Sequence, residues 1–292
     1  MMKSKNYDPE LLLGDVKTMN KPRDLRILSL GAGVQSSVLL LKVLHEEIEN
    51  VDYAIFADTG NEPKEVYEWL NHLKDLVGNK IKILIVKNKQ NTGNIVNDIL
   101  SKTGRFASIP VYTKNQDGSN GITRRTCTFE YKIKPIQKKV REILGVDNLR
   151  GKHVQMVMGI SYDEIQRAKE PSTKWQVNSY PFIETKFTRH QCKEWMIKNN
   201  YQQAPRSACI ICPYHSNDEW DRMKTEKPKD FKMAINFDES LRNDTKSQFV
   251  NKLDGKLFLH NSRIPLKEIN FTVLKNPQYS LFDDECEGMC GV

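Results

Sequence analysis

Short apolar runs alternate with amphipathic stretches through the first half of the chain. Leu25–Leu30 is apolar at nearly every position and precedes a helical pattern at 36–48. The run 53–57 precedes a helical pattern at 64–76, and 81–86 precedes one at 92–101. A further run, Val154–Met158, ends at Gly159. Continuous apolar strands of this length, each followed by a helix, predict a parallel sheet covered on both faces. The expected fold is α/β, a doubly wound parallel sheet flanked by helices, followed by a mainly helical C-terminal region. In such sheets ligands sit beyond the carboxyl ends of the strands. Gly31, Asp58 and Gly159 each fall just after one.

The pattern breaks between 107 and 126, where Asp117-Gly118 and Asn120-Gly121 predict a long loop or short hairpin. From about 187 the helical period dominates, at 189–199, 217–224, 228–242 and 245–252. The predicted organisation is an extension at 1–24, a nucleotide-binding domain at 25–186, a helical region at 187–281 and an acidic tail at 282–292.

The first apolar run leads into Gly31-Ala32-Gly33, then Gln35-Ser36-Ser37. A strand, a glycine turn and a hydroxyl-rich helix start together build an anion pocket. The glycines let the backbone approach a phosphate, and the first helical turn points its N–H groups and dipole at it. Ser29, Ser36 and Ser37 add hydroxyls to that loop. Asp58-Thr59-Gly60 at the next strand end can accept from a ribose or adenine, or orient a magnesium-bound water. The same triplet also reads as a turn and helix cap.

Lysine and arginine number 45 against 37 acids, a formal net charge of +8. Part of the excess lies at Arg124, Arg125, Lys132, Lys134, Lys138, Lys139 and Arg141, which suits a polyanion or a solvated helix face. Pro135 is read as opening the helix there, with the lysines before it at the anion-binding end. Asp163 and Arg167 are spaced for a helical ion pair. No apolar stretch is long enough to span a bilayer and the start lacks the apolar centre of a secretion signal, so a cytoplasmic protein with no membrane partner is expected. The six cysteines are then reduced, and metal binding or chemistry suits them better than disulfides. Cys209 and Cys212 have the spacing that places two sulfurs on one metal, and Cys127 offers a third. Cys192 lies in a helical pattern and is expected to pack, as is His215.

Taken in order, five blocks resemble the phosphoadenosine-phosphosulfate reductase family, within the PP-loop (adenine nucleotide alpha hydrolase-like) group. They are GAGVQSSV, ADTGNEPKEVYEWL, CTFEYKIKPI, GISYDEIQRA and YPFIE. The resemblance runs from about Leu25 to Cys212 and implies an adenine-nucleotide site at Ser29, Gly31, Gly33, Gln35, Ser36, Ser37, Asp58, Thr59, Gly60 and Gly159. Substrate phosphate is expected on Arg124, Arg125, Lys132, Lys134 and Arg167. It further implies a 4Fe-4S cluster or zinc on Cys127, Cys209 and Cys212, with Mg2+ assisting if the nucleotide is ATP.

Two departures matter. Gln35 stands where ATP-splitting relatives carry an aspartate, as in sulfonucleotide reductases, and Thr128 follows Cys127 where cluster-bearing relatives have a further cysteine. The reductases end in Glu-Cys-Gly with a nucleophilic cysteine; this chain has Glu285-Cys286 and then Cys290-Gly291. Cys286 and Cys290 are therefore the catalytic candidates, on a tail expected to fold over the basic segment 124–141.

The leading expectation is an enzyme that cleaves ATP between its α and β phosphates and adenylylates a tRNA or DNA acceptor for sulfur insertion, served by a sulfur-donor protein. The alternative is a thiol-dependent reductase of adenylyl sulfate or phosphoadenylyl sulfate, served by a thioredoxin-like partner. A non-catalytic nucleotide sensor is the third reading. Oligomeric state is left open.

Overall fold

The computed structural model describes residues 23–89, 92–101, 109–171, 173–243, 250, 253 and 255–271. Its centre is a five-stranded sheet in the order β3-β2-β1-β6-β7, with every pairing parallel. The strands are β1 Leu25–Leu30, β2 Tyr53–Asp58, β3 Lys82–Lys87, β6 Val154–Met158 and β7 Gln176–Ser179. The chain moves outward from β1 to β2 and β3, then crosses back to β6. That reversal puts a crevice at the carboxyl ends of β1 and β6.

Alternation along the strands explains why both faces are covered. Leu28, Leu30, Ala54 and Phe56 join one buried cluster with helices α1 Val34–Leu44 and α2 Lys64–Val77. Leu25, Ile27, Ile55 and Ala57, one position out of phase, join another with helix α4 Lys134–Leu144. The leucines, isoleucines and phenylalanine among them contribute about 1.5–3 kcal/mol each when fully buried, and a one-residue slip in any central strand would exchange both faces at once. The doubly wound α/β sheet expected from the sequence is thus present, with β1 and β6 at the predicted bounds.

A second cluster forms around Trp220, Tyr131 and Phe237. It draws Ile95 and Ile99 of helix α3 Ile95–Leu100 together with Ile210, Ile211 and Phe271. The predicted hairpin is there as β4 Tyr112–Lys114 and β5 Asn120–Ile122, and β4 also pairs with β8 Lys256–Phe258. Around these pack helices α7 Asn217–Glu226 and α8 Pro228–Asn243, while α6 Arg189–Lys198 packs on α1; the short α5 Pro181–Glu184 precedes it. The helix expected at 245–252 lies largely outside the described residues.

Three sequence expectations need correction. Helix α1 begins at Val34 rather than 36 and stops at Leu44, where His45 caps it, rather than running to 48. Pro135 does not open its helix. Helical backbone already begins at Cys127, widens into a π-helical turn at Phe129–Ile133 and continues as α4. Proline lacks an N–H and crowds the carbonyl four residues back; the widened turn accommodates it, so Lys132 and Lys134 lie within the helical run. Asp163 does not pair with Arg167. The segment Tyr162–Arg167 is 3-10 helical, which brings residues three apart into line, and Arg167 binds Glu164. Asp163 instead accepts from the Arg189 backbone N–H at 2.9 Å, at the start of α6.

Candidate functional site

The loop between β1 and α1 is closed by its own serine. The Gly31 N–H donates to Ser36 Oγ at 3.1 Å, and Ser36 Oγ donates to the Gly33 carbonyl at 3.3 Å. Ala32 sits fully buried at φ 55°, a conformation that costs an L-residue about 1–2 kcal/mol. Gly33 caps α1 without any side-chain hydrogen bond, so the helix start carries no carboxylate or hydroxyl cap of its own. Across the crevice, a methyl group on Gly159 would lie 2.8 Å from Ser36 Cα and 2.9 Å from Ser36 N. Only glycine lets the β6 end approach the loop this closely. Gln35 Nε2 reaches Ser161 Oγ at 3.5 Å and links the two strand ends.

Not every expected loop residue faces this crevice. Ser37 is fully buried, its Oγ accepting from Trp69 Nε1 at 2.8 Å and its N–H bound to the Gly33 carbonyl at 3.0 Å. Its hydroxyl serves α1–α2 packing. Ser29 is buried within β1. Asp58 is fully engaged: Oδ1 accepts from the Gly60 N–H and the Tyr67 hydroxyl, each at 2.7 Å, and Oδ2 pairs with Lys87 Nζ at 2.9 Å. Burial, then the Asp58 hydrogen bond, pushes the Tyr67 phenol far above its ordinary range. Gly60, at φ +72°, leaves no room for a side chain, because the Gly93 carbonyl lies 2.8 Å from the Cβ position.

The cysteines meet a short way off. Cys127, Cys209 and Cys212 line one cavity of about 40 Å³, together with Thr59, Arg125 and Lys132. Much of its remaining wall is apolar, from Ile95, Ile109 and Ile211. Cys209 Sγ lies 3.2 Å from Thr59 Oγ1 and 3.6 Å from Glu62 Oε1, while Lys132 Nζ stands 3.9 Å from the same carboxylate oxygen. Glu62 Oε2 is buried without a hydrogen-bond partner. Thr59 is therefore drawn to the thiols, not to the crevice. Among the described residues, no group of three His, Cys, Asp or Glu side chains is arranged to hold a metal ion. The three sulfurs expected to hold a cluster or zinc do share this one cavity.

The expected phosphate residues also divide. Arg125 and Lys132 come together at the thiol cavity, with the Arg125 guanidinium 5.7 Å from the centre of the Tyr214 ring. Lys134 pairs with Glu130 at 3.3 Å, Arg167 is held by the buried Glu164, and Arg124 is exposed on the surface. Cys286 and Cys290 lie outside the described residues.

Residues 207–212 join the two places. Ser207 Oγ donates to the Gly31 carbonyl, and its Cβ lies 3.2 Å from the Cβ position of Gly33. Two residues later Cys209 meets Thr59 and Glu62. At roughly 3.5 Å per residue, Ser207 at the loop and Cys209 at the cavity lie at most about 7 Å apart along this strap. Ser207, Ser161, Asn61 and Glu62 were not singled out by the sequence. Asn61 and Glu62 lie in the block ADTGNEPKEVYEWL and Ser161 in GISYDEIQRA, so the signal that could have found them was membership of those blocks.

Two residues expected to pack do so. Cys192 is buried, which pushes its thiol up to about 12. His215 is buried, held down at about 4 chiefly by burial, and its Nε2 donates to the Cys209 carbonyl at 2.9 Å. Among the described residues, no helix is long and apolar enough to cross a membrane.

No known family and no curated protein matches the chain by sequence. Among solved structures, it is similar to the phosphoadenylyl-sulfate reductase of Candida auris in its phosphate complex, at 15% identity and a TM-score of 0.41, over 68% of this chain and 83% of that one. It is also similar to the U34-tRNA thiolase NcsA of Methanococcus maripaludis with its 4Fe-4S cluster. That likeness has 15% identity and a TM-score of 0.38, over 92% of this chain and 88% of the other.

Proposed function

We propose that the chain is an enzyme that binds an adenine nucleotide in the crevice between β1 and β6 and uses it for sulfur chemistry at the adjoining thiols. The observation that carries this reading is the strap 207–212, which touches the glycine loop through Ser207 and brings Cys209 and Cys212 beside Cys127. The five sequence motifs in register supply the nucleotide class.

In the favoured form the nucleotide is ATP. An oxygen of a tRNA or DNA acceptor attacks the α-phosphorus, pyrophosphate leaves, and sulfur brought by a donor protein then displaces AMP. The loop amides and the α1 N-terminus stabilise charge on the departing pyrophosphate. The donor's sulfur arrives as a persulfide; once it has displaced AMP, one of the thiols cleaves the S–S bond, leaving the thiolated acceptor and a disulfide, with Lys132 and Arg125 offsetting anionic charge beside them. A second form is favoured by Gln35, whose neutral amide spans the crevice to Ser161 where a carboxylate would bind or repel. In it the nucleotide arrives already carrying sulfate: one thiol attacks the sulfur and expels the adenine nucleotide, and a second thiol, from a thioredoxin-like partner, releases sulfite as the two thiols become a disulfide.

The deciding experiment incubates the protein with ATP or with adenylyl sulfate and phosphoadenylyl sulfate, and measures AMP, pyrophosphate and sulfite. Acceptor-dependent AMP and pyrophosphate support the first form, and thiol-dependent sulfite the second. Tight nucleotide binding with none of these products overturns the enzymatic reading.

A further inference from the structure

Residues 201–216 carry two of the three clustered thiols yet lie outside helix and strand. No ladder of backbone hydrogen bonds therefore fixes where Cys209 and Cys212 point. A turn closed by the Cys212 N–H on the Cys209 carbonyl at 3.0 Å sets the two cysteines relative to each other, and one residue of the opposite loop anchors that turn. The Asn61 carbonyl accepts from the Ile210 N–H at 2.9 Å, and Asn61 Oδ1 accepts from the Ile211 N–H at 3.2 Å. The two amides between the cysteines are thus both bound by a single side chain and its own backbone. Asn61 Nδ2 donates to Met233 Sδ at 3.5 Å, which orients the amide so that its oxygen faces the strap. Asn61 is itself buried, and its neighbour Glu62 meets the Cys209 sulfur.

We propose that Asn61 is the positioning residue of the thiol cavity: by holding the amides of Ile210 and Ile211 it aims Cys209 and Cys212 toward Cys127. A buried amide oxygen is well suited to the task, because it imitates a backbone carbonyl where no strand provides one. The inference deepens the sulfur-chemistry reading of this cavity, but its test uses neither nucleotide nor turnover, so either can fail alone.

The experiment titrates the full chain with phenylarsine oxide, which condenses with two thiols to form two As–S bonds and release water. In parallel, mass spectrometry follows iodoacetamide alkylation of each cysteine. Asn61→Leu keeps the volume and removes the acceptor. Loss of one such hydrogen bond predicts about tenfold weaker arsenical binding and about tenfold faster alkylation of Cys209 and Cys212. Cys192, buried in the first cluster, should not change; it serves as the internal control.

Unchanged arsenical affinity, or a parallel rise at Cys192, overturns the proposal, since a residue that merely stabilises the fold would loosen both. Met233→Leu covers the case in which Asn61→Leu fails to fold. Met233 is exposed, and its replacement removes only the acceptor that orients the amide. A change of about threefold in the same direction supports the assignment, and no change overturns it.

Discussion

The glycine-loop crevice and the thiol cavity are neighbours built on opposite principles. The crevice is made by regular structure: two parallel strand ends, one helix start and a glycine contact at Gly159, all fixed by the register of the sheet. The cavity is made by irregular segments. Its walls are a turn after β2, a π-helical widening and a strap without secondary structure, held by single side chains such as Asn61 and Thr59. The first can be rigid before any ligand arrives, whereas the second depends on a few specific bonds and on the cluster beneath it. Each region should therefore fail for different reasons, although the strap joins them.

The largest effect is expected from Trp220→Ala. Trp220 is fully buried in the second cluster and its ring packs edge-on against His215 at 4.7 Å, directly below the strap. Its removal should cost about 3–5 kcal/mol. Hydrogen exchange should localise the loosening to the strap and α7, leaving β1 and β6 protected. Uniform loosening of the sheet would show that the two regions are one cooperative unit.

Mild acid should separate them without mutation. His215 and His260 are both held near 4 by burial, below the ordinary histidine value of 6.5, and both pack against the second cluster. Each stays neutral in the folded chain while the unfolded chain takes up a proton, so stability falls as pH drops from about 6.5 toward 4. By pH 5 the loss is about 2 kcal/mol per histidine. Chemical denaturation across this range should show the decline, and His215→Gln should flatten part of it. A stability that stays level from pH 7 to 5 contradicts the prediction.

Gly159→Ala attacks the crevice alone. The added methyl meets Ser36 backbone at 2.8 Å, forcing strand end and loop apart at a cost of about 1–3 kcal/mol. Calorimetry should show the nucleotide bound at least about tenfold more weakly, with thiol alkylation rates unaltered. The smallest effect is a gain. Ala32→Gly relieves the left-handed conformation at φ 55° and should stabilise the fold by about 0.5–1 kcal/mol in thermal unfolding, since glycine's own entropic cost offsets part of the relief.

The same contrast explains what the sequence disclosed. The apolar runs that became β1 and β6 carry their own periodicity, and Gly31 and Gly159 follow them directly, so the crevice is legible locally. The cavity is not. Asn61 and Ile211 are separated by 150 positions, and nothing in either segment announces the partner. Cys209 and Cys212 were visible as a spaced pair, yet the contacts that place them come from Thr59, Glu62 and Asn61 of a distant segment. The hydroxyl of Ser37 was misread for a related reason: only the tertiary contact with Trp69 turns it into the core. Pro135 shows a local rule overruled, because a π-helical turn absorbs the residue that ordinarily begins a helix.

The central claim is that crevice and cavity form one site. Its most direct test is the alkylation rate of Cys127, Cys209, Cys212 and Cys192, measured with and without saturating AMP or ATP. If the strap couples the two, nucleotide should change the rates of Cys209 and Cys212 by about tenfold, a coupling near 1.4 kcal/mol, and leave Cys192 alone. Nucleotide bound at the glycine loop, with all four rates unchanged, would contradict the account.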